Sequence, residues 1–416
     1  MPTPERLQHI ARRTTVGLVA GAGAGALGFL GAAWYFSSEL LDPARAGDPY
    51  GLKVLALDPY CVTLPATEAT TEAGAATLQW LGGYGQLGPV VAETSLGARR
   101  ALTARCGVEL TVGTRTRIKR HAVEGTPATA YGLTYEEVEV PGVLGPMAAW
   151  LVPAGSDGEP DGPPLWTVAV HGRGHGRVAM LRMLPELHAA GATTLITTYR
   201  NDVGAPASPD GLYHLGDTEW EDLEAAVRYA RRHGAERVVL VADSMGGAIA
   251  FQFLRRSSLA GLIAGLVLDS PVLDWHETLV LAAAQRHLPP ALTVAAKRLA
   301  RLRVGVDWDL FDQVRLADHL GVPALLIHGE ADATVPVGPS DRLAAARSDL
   351  VTYVRTAGDH LDSWVVDRAR CAAALSAFLA SPALAGSRRA GDRREPGEGV
   401  VLPEVPQGPE EAPDFD

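Results

Sequence analysis

Apolar and polar positions divide the chain into stretches of different grammar. From Thr14 to Phe36 no charged residue occurs, and the run from Val16 to Trp34 is long enough to cross a bilayer as a helix. Between residues 48 and 134 the apolar runs are short: Lys53-Val-Leu-Ala-Leu57, Val62-Thr-Leu64 and Thr77-Leu-Gln-Trp-Leu81, separated by Asp-Pro, Pro and Gly-Gly turn signals. They predict a small β-rich domain. From Tyr135 the pattern changes again. Tyr135–Val140 and Met147–Val152 alternate as a hairpin, after which buried strands and helical periods take turns through residue 382, which predicts an α/β sheet.

Within residues 135–382 the predicted buried strands are Leu165–Val170, Thr194–Thr197, Val238–Val241, Leu266–Leu268, Ala324–Ile327 and Val351–Val354. A helix before Val238 is signalled by a capping box at Thr218-x-x-Glu221, by Leu223 and Val227 on one face, and by Gly234 as its stop. Between the strands at Leu266 and Ala324 lies an insertion, about residues 275–319, with helices expected near Glu277–Gln285 and Leu292–Leu302. The second bears Lys297, Arg298, Arg301 and Arg303, a run read as a solvated basic face, with contact to anionic substrates or lipid headgroups as the alternative. Residues 383–416 carry five prolines and seven acidic residues after Arg394 with no further Lys or Arg, so a disordered acidic tail is expected.

The flanks of the apolar run set its direction. Arg6, Arg12 and Arg13 precede it, Glu39, Asp42 and Asp48 follow it, and Trp34 and Tyr35 sit where an interfacial belt belongs. The expectation is a short cytoplasmic amino terminus over residues 1–13, a signal anchor over 14–36, and everything else across the membrane. A cleaved signal peptide is the rival, because Ala44-Arg-Ala46 offers small residues at suitable offsets, but its apolar region is normally shorter than this one.

Charge and cysteines narrow the classes. A net charge of -11 lacks the basic footprint of a nucleic-acid binder, so no nucleic-acid partner is expected. Cys61, Cys106 and Cys371 have no metal-ligand spacing, and neither metal nor cofactor is expected. Cys61 and Cys106 are read either as an extracytoplasmic disulfide or as two buried thiols; Cys371 is read as a packed free thiol.

The candidate chemistry lies at strand ends. Val241-Ala-Asp-Ser-Met-Gly-Gly247 is a strand running into a helix with Ser244 at the bend, although Ala242 stands where the G-x-S-x-G pattern has its first glycine. A hydroxyl attacks an acyl carbonyl only if a base takes its proton, an acid orients that base, and fixed N–H donors receive the oxyanion. Asp332, in His328-Gly-Glu-Ala-Asp-Ala-Thr-Val-Pro336, and His360, in Ala357-Gly-Asp-His-Leu361, follow the last two strands. Asp269 is an alternative acid. Asp243 is rejected as a nucleophile because Met245 would crowd the turn two residues later, and it is read as solvated or helix-facing. His171 and His175 lack further metal ligands and are read as loop hydrogen-bonders. Arg173 and Arg177 are read either as recognising an acidic substrate group or as solvated cations.

Taken with His171-Gly-Arg-Gly174, these motifs resemble the α/β-hydrolase superfamily over roughly Tyr135 to Ser381, nearest its prolyl-oligopeptidase-like and dienelactone-hydrolase-like branch but without a propeller. The resemblance implies Ser244 as nucleophile, His360 as base, Asp332 as acid, and the N–H groups of Met245 and Arg173 as oxyanion hole. The expected activity is hydrolysis of an ester or amide in a small-molecule or peptide acyl substrate. A peptidase with the same triad and a non-catalytic binding or scaffold protein are the rivals.

Overall fold

The computed structural model describes residues 27–46, 50–71, 76–119, 123–155, 165–382 and 384. Helix α1 covers residues 27–41. An antiparallel seven-stranded sheet follows, from β1 (Leu52–Lys53), β2 (Ala56–Leu57), β3 (Cys61–Leu64), β4 (Ala76–Trp80), β5 (Gly83–Thr94), β6 (Gly97–Gly107) and β7 (Arg115–Lys119). Their order is β1-β7-β4-β5-β6-β3-β2, and Leu78, Trp80, Leu87 and Leu102 form its core. A short helix α2 (Glu68–Thr71) connects β3 to β4, and another, α3 (Pro127–Tyr131), follows β7. The long β5–β6 hairpin was not among the expected strands. Its glycines and proline read as turns, whereas the structure absorbs them as register shifts at Tyr84/Gln86, Leu87/Val90 and Val90/Ala92.

The second sheet has eight strands: β8 (Glu136–Pro141), β9 (Pro146–Val152), β10 (Leu165–Val170), β11 (Thr193–Thr197), β12 (Arg237–Asp243), β13 (Ile263–Asp269), β14 (Ala324–Gly329) and β15 (Val351–Thr356). The order is β15-β14-β13-β12-β10-β11-β9-β8, with β10 through β15 parallel to one another, β9 antiparallel to β11, and β8 antiparallel to β9 at the edge. Helices α4 (Leu184–Ala189), α5 (Trp220–Arg232), α6 (Met245–Arg256), α7 (Trp275–Gln285), α8 (Pro290–Val304), α9 (Gly338–Ala346), α10 (Ser363–Val366) and α11 (Arg368–Leu379) complete this part. Alternate residues of one strand feed opposite layers: Leu240 and Ala242 join one core, Val239 and Val241 the other. Because β10 lies between β11 and β12, the strand order reverses there, and a crevice opens at the carboxyl ends of β10 and β12.

Several expectations change. Helix α5 starts at Trp220 without a side-chain cap, and Thr218 Oγ1 has no partner; the capping box does not form. The buried Glu219 carboxylate instead accepts the N–H groups of His214 (2.7 Å) and Gly216 (2.8 Å). Residues 14–26 of the expected membrane span lie outside the described residues. Among the described residues no helix is long and apolar enough to cross a membrane. Of the described part of the span, residues 27–36, Ala33 is buried while Leu27, Leu30, Trp34 and Tyr35 are exposed; the helix packs against the protein just past the span, where Ser37, Ser38 and Leu41 are buried and the Leu41 carbonyl accepts the Tyr213 N–H at 2.8 Å. The expected tail lies outside the described residues except Leu384, which is buried beside Phe378 and Gly265, so the folded unit extends beyond residue 382.

All three cysteines are free. Cys61 pairs in register with Ala101 on β6, five residues from Cys106 and roughly 16 Å of strand away, so the disulfide reading falls. Cys106 is exposed rather than buried. Cys371 is packed as expected, and burial pushes its thiol up to about 12.

Candidate active site

Ser244 ends β12 and begins the turn into α6 with φ 49° and ψ -120°, a conformation that costs a non-glycine residue roughly 1–3 kcal/mol. The surroundings over-determine it. Its N–H donates to the Asp269 carbonyl at 3.0 Å, and its carbonyl accepts the N–H groups of Val272 at 2.8 Å and Gly247 at 3.0 Å. A Cβ on Gly246 would lie 2.4 Å from the Val170 carbonyl oxygen, and one on Gly247 2.5 Å from Pro271 Cβ, so both glycines are required by close backbone approach. Ala242, where the motif has its first glycine, is fully buried in the core, and its methyl is accommodated there.

The expected trio converges. His360 Nε2 lies 3.1 Å from Ser244 Oγ, and His360 Nδ1 lies 2.7 Å from Asp332 Oδ2. The loop carrying His360 is held on both sides: Asp359 Oδ1 accepts the N–H groups of His360 and Ala333, and the Leu361 N–H donates to Ser270 Oγ at 3.3 Å. Asp332 Oδ1 accepts the N–H groups of Thr334 (2.8 Å) and Val335 (2.7 Å). Burial pushes the Asp332 carboxyl up, but hydrogen bonds to His328 and His360 outweigh it and hold the group well below the usual carboxylate range. A base that is oriented by an ionised acid and touches a hydroxyl is the arrangement needed to activate that hydroxyl.

The loop after β10 closes on the serine. A Cβ on Gly172 would meet Ser244 Cβ at 2.7 Å and Oγ at 3.2 Å, so the loop backbone comes up against the serine, and the next residue, Arg173, lines the same cleft. Met245 opens α6, where its N–H has no intrahelical carbonyl to bond. Beneath the loop, His171 is fully buried: Nε2 is 2.8 Å from Asp202 Oδ2, and the ring stacks on Tyr199 at 4.6 Å. Burial disfavours the imidazolium, but Asp202 more than offsets this and raises the His171 pKa. This fits its reading as a loop hydrogen-bonder.

Sequence reasoning missed the support beneath the elbow. Asp243 is not solvated: it is fully buried, with Oδ2 2.8 Å from Arg182 Nη2. The same guanidinium bonds Asp269 Oδ2 at 2.9 and 3.1 Å, so Asp269 is engaged there and not by His360. His328, likewise unassigned, places Nε2 3.2 Å from Asp332 Oδ2 and Nδ1 2.7 Å from Ser340 Oγ. Of the two arginines in the β10 loop, Arg177 pairs with Glu137 at 2.9 Å and stacks over Trp150, away from the serine. Arg173 lines the cleft and donates to the Glu39 carbonyl of α1 at 3.4 Å; burial lowers its pKa. The basic face of α8 is divided. Lys297 turns inward to His276 Nδ1 (2.9 Å), Arg303 donates to Ser37 and Ser38 of α1 (2.9 Å each), and Arg298 and Arg301 are exposed.

Comparison with known proteins matches residues 166–314 to a family described as serine aminopeptidase, S33. With the strand order above, this decides the fold. Residues 135–382 have the α/β-hydrolase fold. Residues 53–119 of this chain match a domain of unknown function (DUF8805), which coincides with its seven-stranded sheet. The uncharacterized protein YfhR of Salmonella typhimurium is 24% identical over 255 residues, 58% of this chain and 77% of that protein. Similar solved structures include the Pyrococcus furiosus esterase Pf2001, 20% identical with a TM-score of 0.47, covering 62% of this chain and 96% of that one. A hyperthermophilic esterase from Pyrobaculum calidifontis is 17% identical with a TM-score of 0.44, over 60% of this chain and 87% of that one.

Proposed function

We propose that this protein is a serine hydrolase that cleaves a carboxylic ester through an acyl-enzyme. The observation that carries the reading is the unbroken contact series from Ser244 Oγ to His360 (3.1 Å) to Asp332 (2.7 Å). Ser244 Oγ attacks the substrate carbonyl carbon while its proton passes to His360 Nε2. Asp332 stabilises the imidazolium, and the Met245 and Arg173 N–H groups face the developing oxyanion. His360 then protonates the departing alkoxide. Water, deprotonated by the same ring, releases the acid and restores Ser244.

Labelling with a fluorophosphonate probe tests this. Native protein should label and Ser244→Ala should not; label retained by the variant sinks the nucleophile assignment, and an unlabelled folded native protein favours a binding or scaffold role. The matched serine-aminopeptidase family favours a second reading, a peptidase with the same triad. Turnover of aminoacyl amides in preference to aryl esters would select it.

The retained amino-terminal anchor, with the hydrolase body outside the cytoplasm, belongs to the same proposal. It is supported by the apolar run up to Trp34 and by the burial of Leu41, since cleavage after Ala46 would strip a core residue from the folded body. The protein should stay with membranes through a high-salt wash; recovery as a soluble, shortened chain would establish cleavage instead.

A further inference from the structure

Ser244 and His360 open into a cleft of about 1590 Å³, above the ~300–1,000 Å³ of ordinary small-ligand sites. Its walls differ in chemistry. One is apolar and comes from three segments: Phe36 and Leu40 of α1, Leu279 and Ala283 of α7, and Leu292 and Ala296 of α8. The other, from the seven-stranded sheet and its loops, presents Tyr50, Glu68, Arg117 and Lys119.

The apolar wall is held as a unit. Arg286, just past α7, pairs with Glu39 Oε1 at 2.6 Å and lies over the Phe36 ring at 5.9 Å. Arg303 of α8 bonds Ser37 and Ser38 and lies over Trp34 at 4.4 Å. Helix α1 is therefore fixed edge to edge with both insertion helices. Phe36, Leu40, Leu279, Ala283 and Ala296 are only partly buried, so apolar surface remains uncovered inside the cleft.

We infer that this wall is an acyl-chain groove, and that the substrate is an ester of a medium- or long-chain fatty acid whose polar alcohol portion faces Arg117 and Lys119. The inference rests on the serine-hydrolase reading. Burying a chain against the wall contributes about 0.8 kcal/mol per methylene, a gain that an acetyl group does not realise. The chain enters between α1 and the insertion, so α1 is a specificity element of the hydrolase itself.

The test is the chain-length profile of full-length protein in detergent with p-nitrophenyl acetate and octanoate. The expected octanoate-to-acetate ratio of kcat/KM is at least tenfold for the native enzyme, and falls at least tenfold in Ala283→Trp, which fills the groove, and in Phe36→Ala, which opens its α1 side. Val280→Trp, on the exposed side of α7, should leave the ratio where it is. A native ratio at or below one, or a ratio unmoved by both groove variants, overturns the groove. Calorimetric titration of Ser244→Ala with decanoate gives a readout free of catalysis: saturable one-to-one binding abolished by adding Ala283→Trp supports the groove, and its absence overturns it. Decanoate binding with no ester turnover by native enzyme would sink the hydrolase reading alone.

Discussion

Arg182 Nη2 lies 2.8 Å from Asp243 Oδ2, and both side chains are shut off from solvent directly beneath the nucleophile elbow. The same guanidinium holds Asp269, whose carbonyl fixes the Ser244 N–H, so one arginine bridges two carboxylates that meet the elbow from adjacent strands. Removing it leaves both buried without a counter-charge. Arg182→Met should therefore lose about 3–5 kcal/mol of stability, the usual cost of breaking a buried pair from one side. Urea unfolding measures this, and a loss below about 1 kcal/mol would show that the Arg182 bridge contributes little to holding the elbow together.

Asp332 predicts a pH dependence with a definite sign. Its carboxyl is held below the ordinary range, so it contributes stability that is present above about pH 4, the unfolded value, and is lost as pH falls through the lower native value. The gap in Tm between native protein and Asp332→Asn should be widest near neutrality and narrow on acidification below about pH 4. A gap that is constant with pH would mean the pair contributes no charge-dependent stability. At neutral pH the same variant should lose on the order of 10⁴ in kcat, as expected when the orienting acid of a triad is neutralised.

The two small residues flanking the bend make opposite predictions. Gly246→Ala drives a methyl to 2.4 Å from the Val170 carbonyl oxygen, which is backbone and cannot swing aside, so it should cost about 1–3 kcal/mol and displace the Met245 N–H. Ala242→Gly only removes a buried methyl from β12 and should cost about 1 kcal/mol or less, with little change in kcat. Thermal melts and ester turnover of the two variants decide the matter. Equal damage from both would mean that Ala242 is as constrained as Gly246.

Much of this arrangement was legible because its causes are local. Buried parallel strands read as apolar runs, and Ser244, Asp332 and His360 each sit directly after such a run, so their order along the chain already placed them at one edge of the sheet. Asp243 and Arg182 were not legible, because a charged residue inside an apolar run has the same letter whether it is paired or solvated. The pairing depends on a contact across 61 positions that no periodicity encodes. Arg182 did carry a weak signal, lying among Met180, Leu181, Met183 and Leu184, all of them buried. The β5–β6 hairpin was hidden for the opposite reason: its turn-forming residues are accommodated as bulges, a matter of pairing partner rather than local preference. The capping box at Thr218 failed because its groups are engaged elsewhere: the Thr218 N–H donates to the buried Glu219 carboxylate at 3.4 Å, the Glu221 N–H to the Thr218 carbonyl at 3.1 Å, and the Glu221 carboxylate accepts from Arg200 at 2.9 Å.

The docking of α1 is the relation that sequence periodicity could least express, since an uncharged run describes a membrane helix and a packed helix alike. Leu41 is 0% exposed within the main core of the α/β unit, and its carbonyl is bonded to Tyr213. Truncating such a side chain removes its transfer energy and leaves a cavity, so Leu41→Ala should cost about 2–5 kcal/mol, whereas Leu30→Ala, at a position 55% exposed on the same helix, should cost less than about 0.5 kcal/mol. Unfolding of the two variants in detergent measures the difference. If both are neutral, α1 is an appendage and its contacts with Arg286 and Arg303 are incidental; if only Leu41→Ala is destabilised, the amino-terminal helix belongs to the catalytic fold, and detaching it would remove a wall of the cleft along with part of the core.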